Sequence, residues 1–238
     1  MNVVDVPAAA SGAWIKESFA LFRTQPTAWI SLLSCWLLFT AMVFLLIPLA
    51  GPALATMLQP GLFAGFAIAA RDQDGGKPVV LAHMFAGFRA NGRLLFSVGS
   101  VALLAELAVL MLLSLLGFPS TIPGDASGLP DMRAYVKLLE GKEWLIFLGV
   151  VLIMLIKGVL WFCPALLAFH QMPVSHALRW SFYAFVANFL PMLLFGFAMS
   201  LLFLFAAMPW LLGMLVWMPV YAIAHFASYR QVFRDGVA

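Results

Sequence analysis

Two ionisable residues stand inside long apolar runs of this 238-residue chain: Glu106 in "VALLAELAVLML" and Lys157 in "LIMLIKGVLWF". At bilayer depth an ionisable group costs roughly 2.5–3.5 kcal/mol on insertion scales, so it marks pairing or a functional pathway. Glu106 lies 13 residues after Arg93, and Lys157 lies 13 after Trp144. At about 1.5 Å per residue each is about 19 Å into its helix, starting from opposite faces. In an apolar core about 30 Å thick, both then fall within about 4 Å of the midplane. The spacing predicts that the two are neighbours in a bundle interior, as an ion pair or through water. Such a pair serves either as a structural contact or as a proton or substrate relay.

Other reactive groups are sparse. The chain has no glycine-rich phosphate loop, HExxH, CxxC or GxSxG, so a non-enzyme without cofactor or metal is expected. Asp72 and Asp74 in "RDQDGGKP" read as a solvated turn. His170 and His225 each follow a proline by six positions. Two imidazoles make half a metal site at most, and with no cysteine or carboxylate nearby they are expected to hydrogen-bond. His83 and His176 are expected to face headgroups. Cys35 and Cys163 read as small buried hydrophobes without a disulfide. The net charge of +3 is scattered, which argues against a nucleic-acid partner.

The elements that hold these residues are membrane helices. Hydrophobic residues make up 64% of the chain and charged residues 10%, against about 25% charged in a globular domain. No Asp, Glu, Lys or Arg occurs between Arg23 and Arg71, or between Arg179 and Arg230. Each tract is long enough for two crossings of about 20 residues. The pattern predicts an all-α polytopic membrane protein, a single domain over 1–238, with spans near 27–47, 52–70, 94–117, 144–168, 189–207 and 209–228. Pro48, Gly51 and Pro52 break the first pair, and Pro209 suits the first turn of the last helix. In the 118–143 loop, Asp131 to Glu140 is expected to form a short helix on the membrane surface. Nothing at the N-terminus reads as a cleaved signal.

Lys16, Arg23, Arg71, Lys77, Arg89, Arg93, Arg179, Arg230 and Arg234 collect on one face, and Arg133, Lys137 and Lys142 on the other. Cytoplasmic loops carry the excess of Lys and Arg, so both termini are expected in the cytoplasm of a bacterial inner membrane.

A short cadence recurs before each outgoing helix: "FALFRTQ" at 19–25, "FAGFRAN" at 85–91 and "FYAFVAN" at 182–188. Phe19 and Phe22, Phe85 and Phe88, and Phe182 and Phe185 are spaced i, i+3 and share a helical face. Each copy reads as an interfacial amphipathic helix with its Phe pair in the acyl region. Ser11 and Ser175 are candidate caps, and Gln25, Asn91 and Asn188 mark the turn into the membrane. Pro60, Pro164 and Pro219 sit midway along the returning helices. The chain thus reads as three helix-plus-hairpin units over about 11–72, 79–171 and 174–230, with an outward loop over about 118–143. Trp14, Trp29, Trp144 and Trp180 read as interfacial anchors, and Trp161, Trp210 and Trp217 as residues packed between helices. Gly61 and Gly65 form a GxxxG suited to close helix contact, within the chain or with another.

The segments "VPAAASGAWIKESFALFRTQPTAWI", "LIPLAGPALATMLQPGLFAGFAIAARDQDGGKP" and "HMFAGFRANGR" resemble a family of uncharacterised proteobacterial inner-membrane proteins. More distantly they look like the membrane domain of some bacterial glycerophosphodiester phosphodiesterases. The resemblance implies no functional residue.

Two functions fit the residues. One is a non-catalytic membrane protein that organises lipid or supports a membrane complex, with Lys16, Arg23, Lys77, Arg89 and Arg93 at anionic headgroups. Its partners would be lipids and a second membrane protein or a second copy. The alternative is a small transporter or channel built on Glu106 and Lys157.

Overall fold

The computed structural model describes residues 2–119, 121–124, 130–208 and 210–233. Pro209 and Arg234, which entered the expectations above, lie outside them. The described residues form ten α-helices: α1 (Ala10–Thr24), α2 (Pro26–Leu46), α3 (Gly51–Asp74), α4 (Ala86–Leu115), α5 (Met132–Leu139), α6 (Glu143–Leu160), α7 (Cys163–Phe169), α8 (Val174–Ala187), α9 (Phe189–Ala207) and α10 (Met214–Val232). A 3-10 turn over Leu81–Phe85 precedes α4.

Among the described residues five helical segments are long and apolar enough to cross a membrane: α2, α3, Leu81–Leu115, Glu143–Phe169 and α9. The helix expected as the sixth span, α10, is not among them, and it starts later than expected. Trp210 and Leu211 adopt left-handed backbone, with φ of 51° and 64°. That conformation cannot continue a right-handed helix, so α10 begins at Met214 rather than near 209. Its last turns carry His225, Ser228, Tyr229, Arg230 and Gln231, which dilute its apolar character.

Prolines shape the boundaries. Pro26, Pro52 and Pro164 occupy first-turn positions of α2, α3 and α7, where the missing N–H has no helical partner to lose. The α2–α3 turn is tight enough that a Cβ on Gly51 would strike the Val43 carbonyl. Neither Ser11 nor Ser175 caps a helix: α1 and α8 start before them, without a side-chain cap. Asp131 does cap α5, accepting from the Arg133 and Ala134 amides at 3.0 and 3.1 Å.

The chain divides into two compact units, residues 1–100 with 159–238, and residues 101–158. In the first, the returning helices supply the core. Pro60, Pro164 and Pro219 are all buried. Beyond them lie buried Phe66, Ala67 and Ala70, then Ala165, Leu166 and Leu167, then Ile223, Phe226 and Tyr229. The break between α6 and α7 is satisfied by α8. The Ser181 hydroxyl accepts from the Phe162 amide at 3.1 Å and donates to the Val159 carbonyl at 2.5 Å. In the second unit, Val109, Leu113 and Leu145 form a small cluster.

Trp14 and Trp29 are fully buried, which corrects their reading as interfacial anchors. The Trp14 indole donates to Gln231 at 2.5 Å and the Trp29 indole to Gln73 at 2.7 Å. An indole that finds a polar partner inside the core loses its reason to sit at the interface. Trp210 errs the other way and is 94% exposed. Trp161 and Trp217 are packed as expected, Trp217 stacking on Tyr221.

Candidate lipid-facing surface and intramembrane charge pair

Three amide side chains stand where the Phe-bearing segments turn into the long apolar helices. Gln25 and Asn188 cap the junctions α1–α2 and α8–α9, and Asn91 breaks α4 with φ −156° and ψ 45°. Each amide is bonded to a distant segment. Gln25 Oε1 accepts from the Val79 amide at 2.9 Å, just ahead of the second Phe pair. Asn91 Nδ2 donates to the Leu167 carbonyl at 2.8 Å, ahead of the third. Asn188 Oδ1 accepts from the Val6 amide at 2.9 Å and its Nδ2 donates to the Val4 carbonyl at 3.1 Å, ahead of the first. The first amide therefore holds the second segment, the second holds the third, and the third returns to the first. Their positions were legible as turn markers, but these bonds were not.

The Phe pairs do not act as pairs. Phe19, Phe85 and Phe182 are 42%, 41% and 48% exposed, whereas Phe22 and Phe185 are 5% and 9% exposed and belong to the core. Phe88 is half-buried and packs on α3, where a Cβ on Gly61 would strike its ring. The expectation that both members of each pair reach the acyl region is thus corrected. Residues three apart on a helix lie about 60° apart around its axis, so one can face out while the other faces in. A Cβ on Gly65 would strike the His83 carbonyl, and one on Gly87 the Gly61 carbonyl. The GxxxG contact is therefore internal to the chain.

Basic residues surround the exposed rings. Lys16, Arg23, Lys77, Arg89 and Arg93 are all exposed. Arg23 lies over the Phe19 ring at 5.7 Å, Lys77 pairs with Asp72 at 3.4 Å, and Arg89 donates to the Ala82 carbonyl at 2.5 Å. Arg230 bridges Glu17, at 2.5 Å, and Asp74. Asp72 also meets His83 at 3.4 Å. The "RDQDGGKP" turn is thus an ion-pairing site rather than a merely solvated loop. Burial raises the Glu17 carboxyl above its ordinary range, against the pull of Arg230. Lys16, Arg93 and Arg179 have no ion-pair, hydrogen-bond or ring partner for their side chains among the described residues.

Glu106 on α4 and Lys157 on α6, both in the second unit, form an ion pair with Nζ 2.5 Å from Oε1. Their side chains are 20% and 44% exposed. The pair is in contact as the spacing required, but Lys157 is not enclosed in a bundle interior.

The histidines separate. His170 Nε2 is 2.7 Å from the Tyr229 hydroxyl, and burial holds its pKa below the usual value. His225 is buried and stacks on Trp161, with ring centroids 3.5 Å apart, and beside Phe63 at 4.5 Å. Among the described residues no three His, Cys, Asp or Glu side chains gather as a metal site would require. Cys35 and Cys163 are free thiols.

Over 98% of its length the chain is 28% identical to a probable inner membrane protein of Burkholderia thailandensis, covering 94% of that protein. This chain is an integral membrane protein. The likeness agrees with five helices suited to spanning a bilayer, and with the resemblance to uncharacterised inner-membrane proteins. No family model and no solved structure matches the chain.

Proposed function

We propose that this inner-membrane protein is non-catalytic and organises anionic lipid at the cytoplasmic leaflet, as itself or as support for a membrane complex. In this reading the chain makes six crossings with both termini in the cytoplasm, α10 being the sixth. Three repeats each contribute an interfacial segment and a hairpin. The ring of amide bonds supports the repeat, because Gln25, Asn91 and Asn188 play one role in cyclic order. The more distant likeness to the membrane domain of glycerophosphodiester phosphodiesterases rests on the sequence motifs alone.

The observation that carries the lipid reading is the exposed ring of each copy with a cation on the same helical face. Phe19 lies between Lys16 and Arg23, Phe85 precedes Arg89, and Phe182 follows Arg179. A ring in the acyl region with Lys or Arg one turn away is how an interfacial helix holds an anionic surface. Each such charge contributes about 1 kcal/mol near an anionic leaflet. Lipid retained after gentle detergent extraction, quantified against the source membrane, tests it. Anionic phospholipid should be enriched over zwitterionic; equal retention of the two would exclude the headgroup claim.

A second reading, a small transporter or channel, is favoured by the Glu106–Lys157 contact, since an ion pair on spanning helices that stays half-open suits a relay. Flux assays in proteoliposomes with Glu106→Gln test it: a folded variant as active as its parent would remove the pair from any transport path.

A further inference from the structure

The Glu106–Lys157 pair sits on the open side of its helix hairpin. α4 and α6 face each other through Val109, Leu113 and Leu145, with Leu152 and Ile156 packed against them. Another side of α6 carries Phe147, Val150, Met154 and Lys157 at spacings of three, four and three, and all four are exposed. That is the spacing of a seam that meets another helix. Lys157 ends the stripe, its side chain 44% exposed and its amine turned back to Glu106 on α4.

Ionisable groups at bilayer depth almost always face a bundle interior or a water-filled path. Here they stand on two spanning segments, Leu81–Leu115 and Glu143–Phe169, and part of both side chains meets acyl chains in the single chain. Lipid gives apolar helices no hydrophobic reason to associate, so packing and polar contacts drive association within a membrane. A second copy of this chain supplies the matching charges. Two copies in one membrane share an orientation, so a closed pair is related by a two-fold axis along the membrane normal. The line from Glu106 to Lys157 runs from one helix to its neighbour, across the membrane plane, and the two-fold reverses it. Facing pairs therefore lie head to tail. Each ammonium stands beside the other copy's carboxylate, where opposite charges attract far more than in water.

We propose that the exposed stripe of α6 and the Glu106–Lys157 pair form a homodimer interface, in which each copy completes the other's charge site as a closed ring of alternating charges. Phe147, Val150 and Met154 meet their counterparts across the axis. The inference goes beyond the lipid reading and does not rest on it, since Phe19, Phe85 and Phe182 belong to the other unit of the chain.

Copies carrying two different affinity tags, co-expressed and extracted in mild detergent, test it with a charge swap. Glu106→Lys with Lys157→Glu keeps the pair within each chain and rebuilds the ring between two swapped chains. A mixed dimer sets Glu against Glu and Lys against Lys. Parent should capture parent and swapped should capture swapped, while the mixed capture falls about tenfold. Equal capture in the mixed pair, or a parent that captures no parent, would overturn the proposal. A disulfide reads the same face without disturbing the charges. Under oxidation in native membranes Met154→Cys should give a dimer of the chain, and Phe197→Cys on α9, 64% exposed, should not. Cys35 and Cys163 are common to both variants, so background from them is matched. If the swapped chain fails to accumulate, this cross-link decides alone. A dimer at 154 and not at 197 upholds the interface; no dimer at 154, equal dimer at both, or Met154→Cys joined to a different membrane protein overturns it.

Discussion

Replacing Asn188 by alanine removes the amide that returns the third Phe segment to the first. Asn188 is fully buried. Its Oδ1 accepts from the Val6 amide at 2.9 Å and its Nδ2 donates to the Val4 carbonyl at 3.1 Å. A third bond, Nδ2 to the Ala184 carbonyl, is dispensable because that carbonyl also accepts the Asn188 amide. The substitution orphans two backbone groups. Val6 is buried and takes the full penalty; Val4 is half-buried and partly recovers. At about 1–3 kcal/mol for each orphaned buried group, the loss is about 2–4 kcal/mol. For a chain of this size that lowers Tm by about 5–15 °C in a detergent melt. Gln25→Ala should cost less, about 1–2 kcal/mol, because it orphans one buried group, the Val79 amide, while its bond to the Lys77 carbonyl lies where water can replace it. Asn91→Ala, which loses one bond to the Leu167 carbonyl, should fall between. A melt in which Gln25→Ala costs as much as Asn188→Ala would refute the ring as a set of graded latches.

Glu106→Gln and Lys157→Met should each destabilise the protein and the double variant should recover much of the loss. The single losses should approach the roughly 3–5 kcal/mol of a buried pair, since the exposed parts of both side chains face acyl chains rather than water. A cycle of detergent melts with no coupling between the two would contradict the pair. The lowered pKa of His170 means the fold holds the neutral ring. Its contribution is complete above the ordinary value of 6.5 and fades as pH falls through the depressed value, so His170→Gln should flatten the acid side of a Tm–pH profile. Glu17 has the opposite sign: its raised pKa favours the fold below 4.5, and that part is lost as pH rises through the raised value, so Glu17→Gln should flatten that window. Gly65→Ala should cost about 1–3 kcal/mol by driving α3 off the His83 carbonyl. Gly196→Ala meets open space and should be neutral or mildly stabilising. Cysteines at Thr121 and Ser175 should label from opposite sides of the membrane; labelling from one side would overturn the six-span topology.

Much of the frame was legible because it rests on local pattern. Charge-free tracts located α2, α3 and α9 within a few residues, and the midplane arithmetic brought Glu106 to Lys157 without knowledge of helix tilt. What stayed hidden depends on partners far along the chain. A tryptophan near a span end reads the same whether it meets headgroups or a buried glutamine. Trp14 finds Gln231 at a separation of 217 residues, and no spacing rule reveals that. The split within each Phe pair depends on which flank of the short helix the returning helices cover. The late start of α10 follows from left-handed backbone at Trp210 and Leu211, residue types that carry no such signal.

The central claim is that Phe19, Phe85 and Phe182 reach lipid while Phe22 and Phe185 do not. A photo-reactive phenylalanine analogue placed at each of the five positions in living cells tests it directly, with adducts resolved by mass spectrometry. The account predicts phospholipid adducts at 19, 85 and 182, enriched in anionic species, and intramolecular protein crosslinks at 22 and 185. Phospholipid captured equally at all five positions, or at none of the three exposed ones, would contradict it.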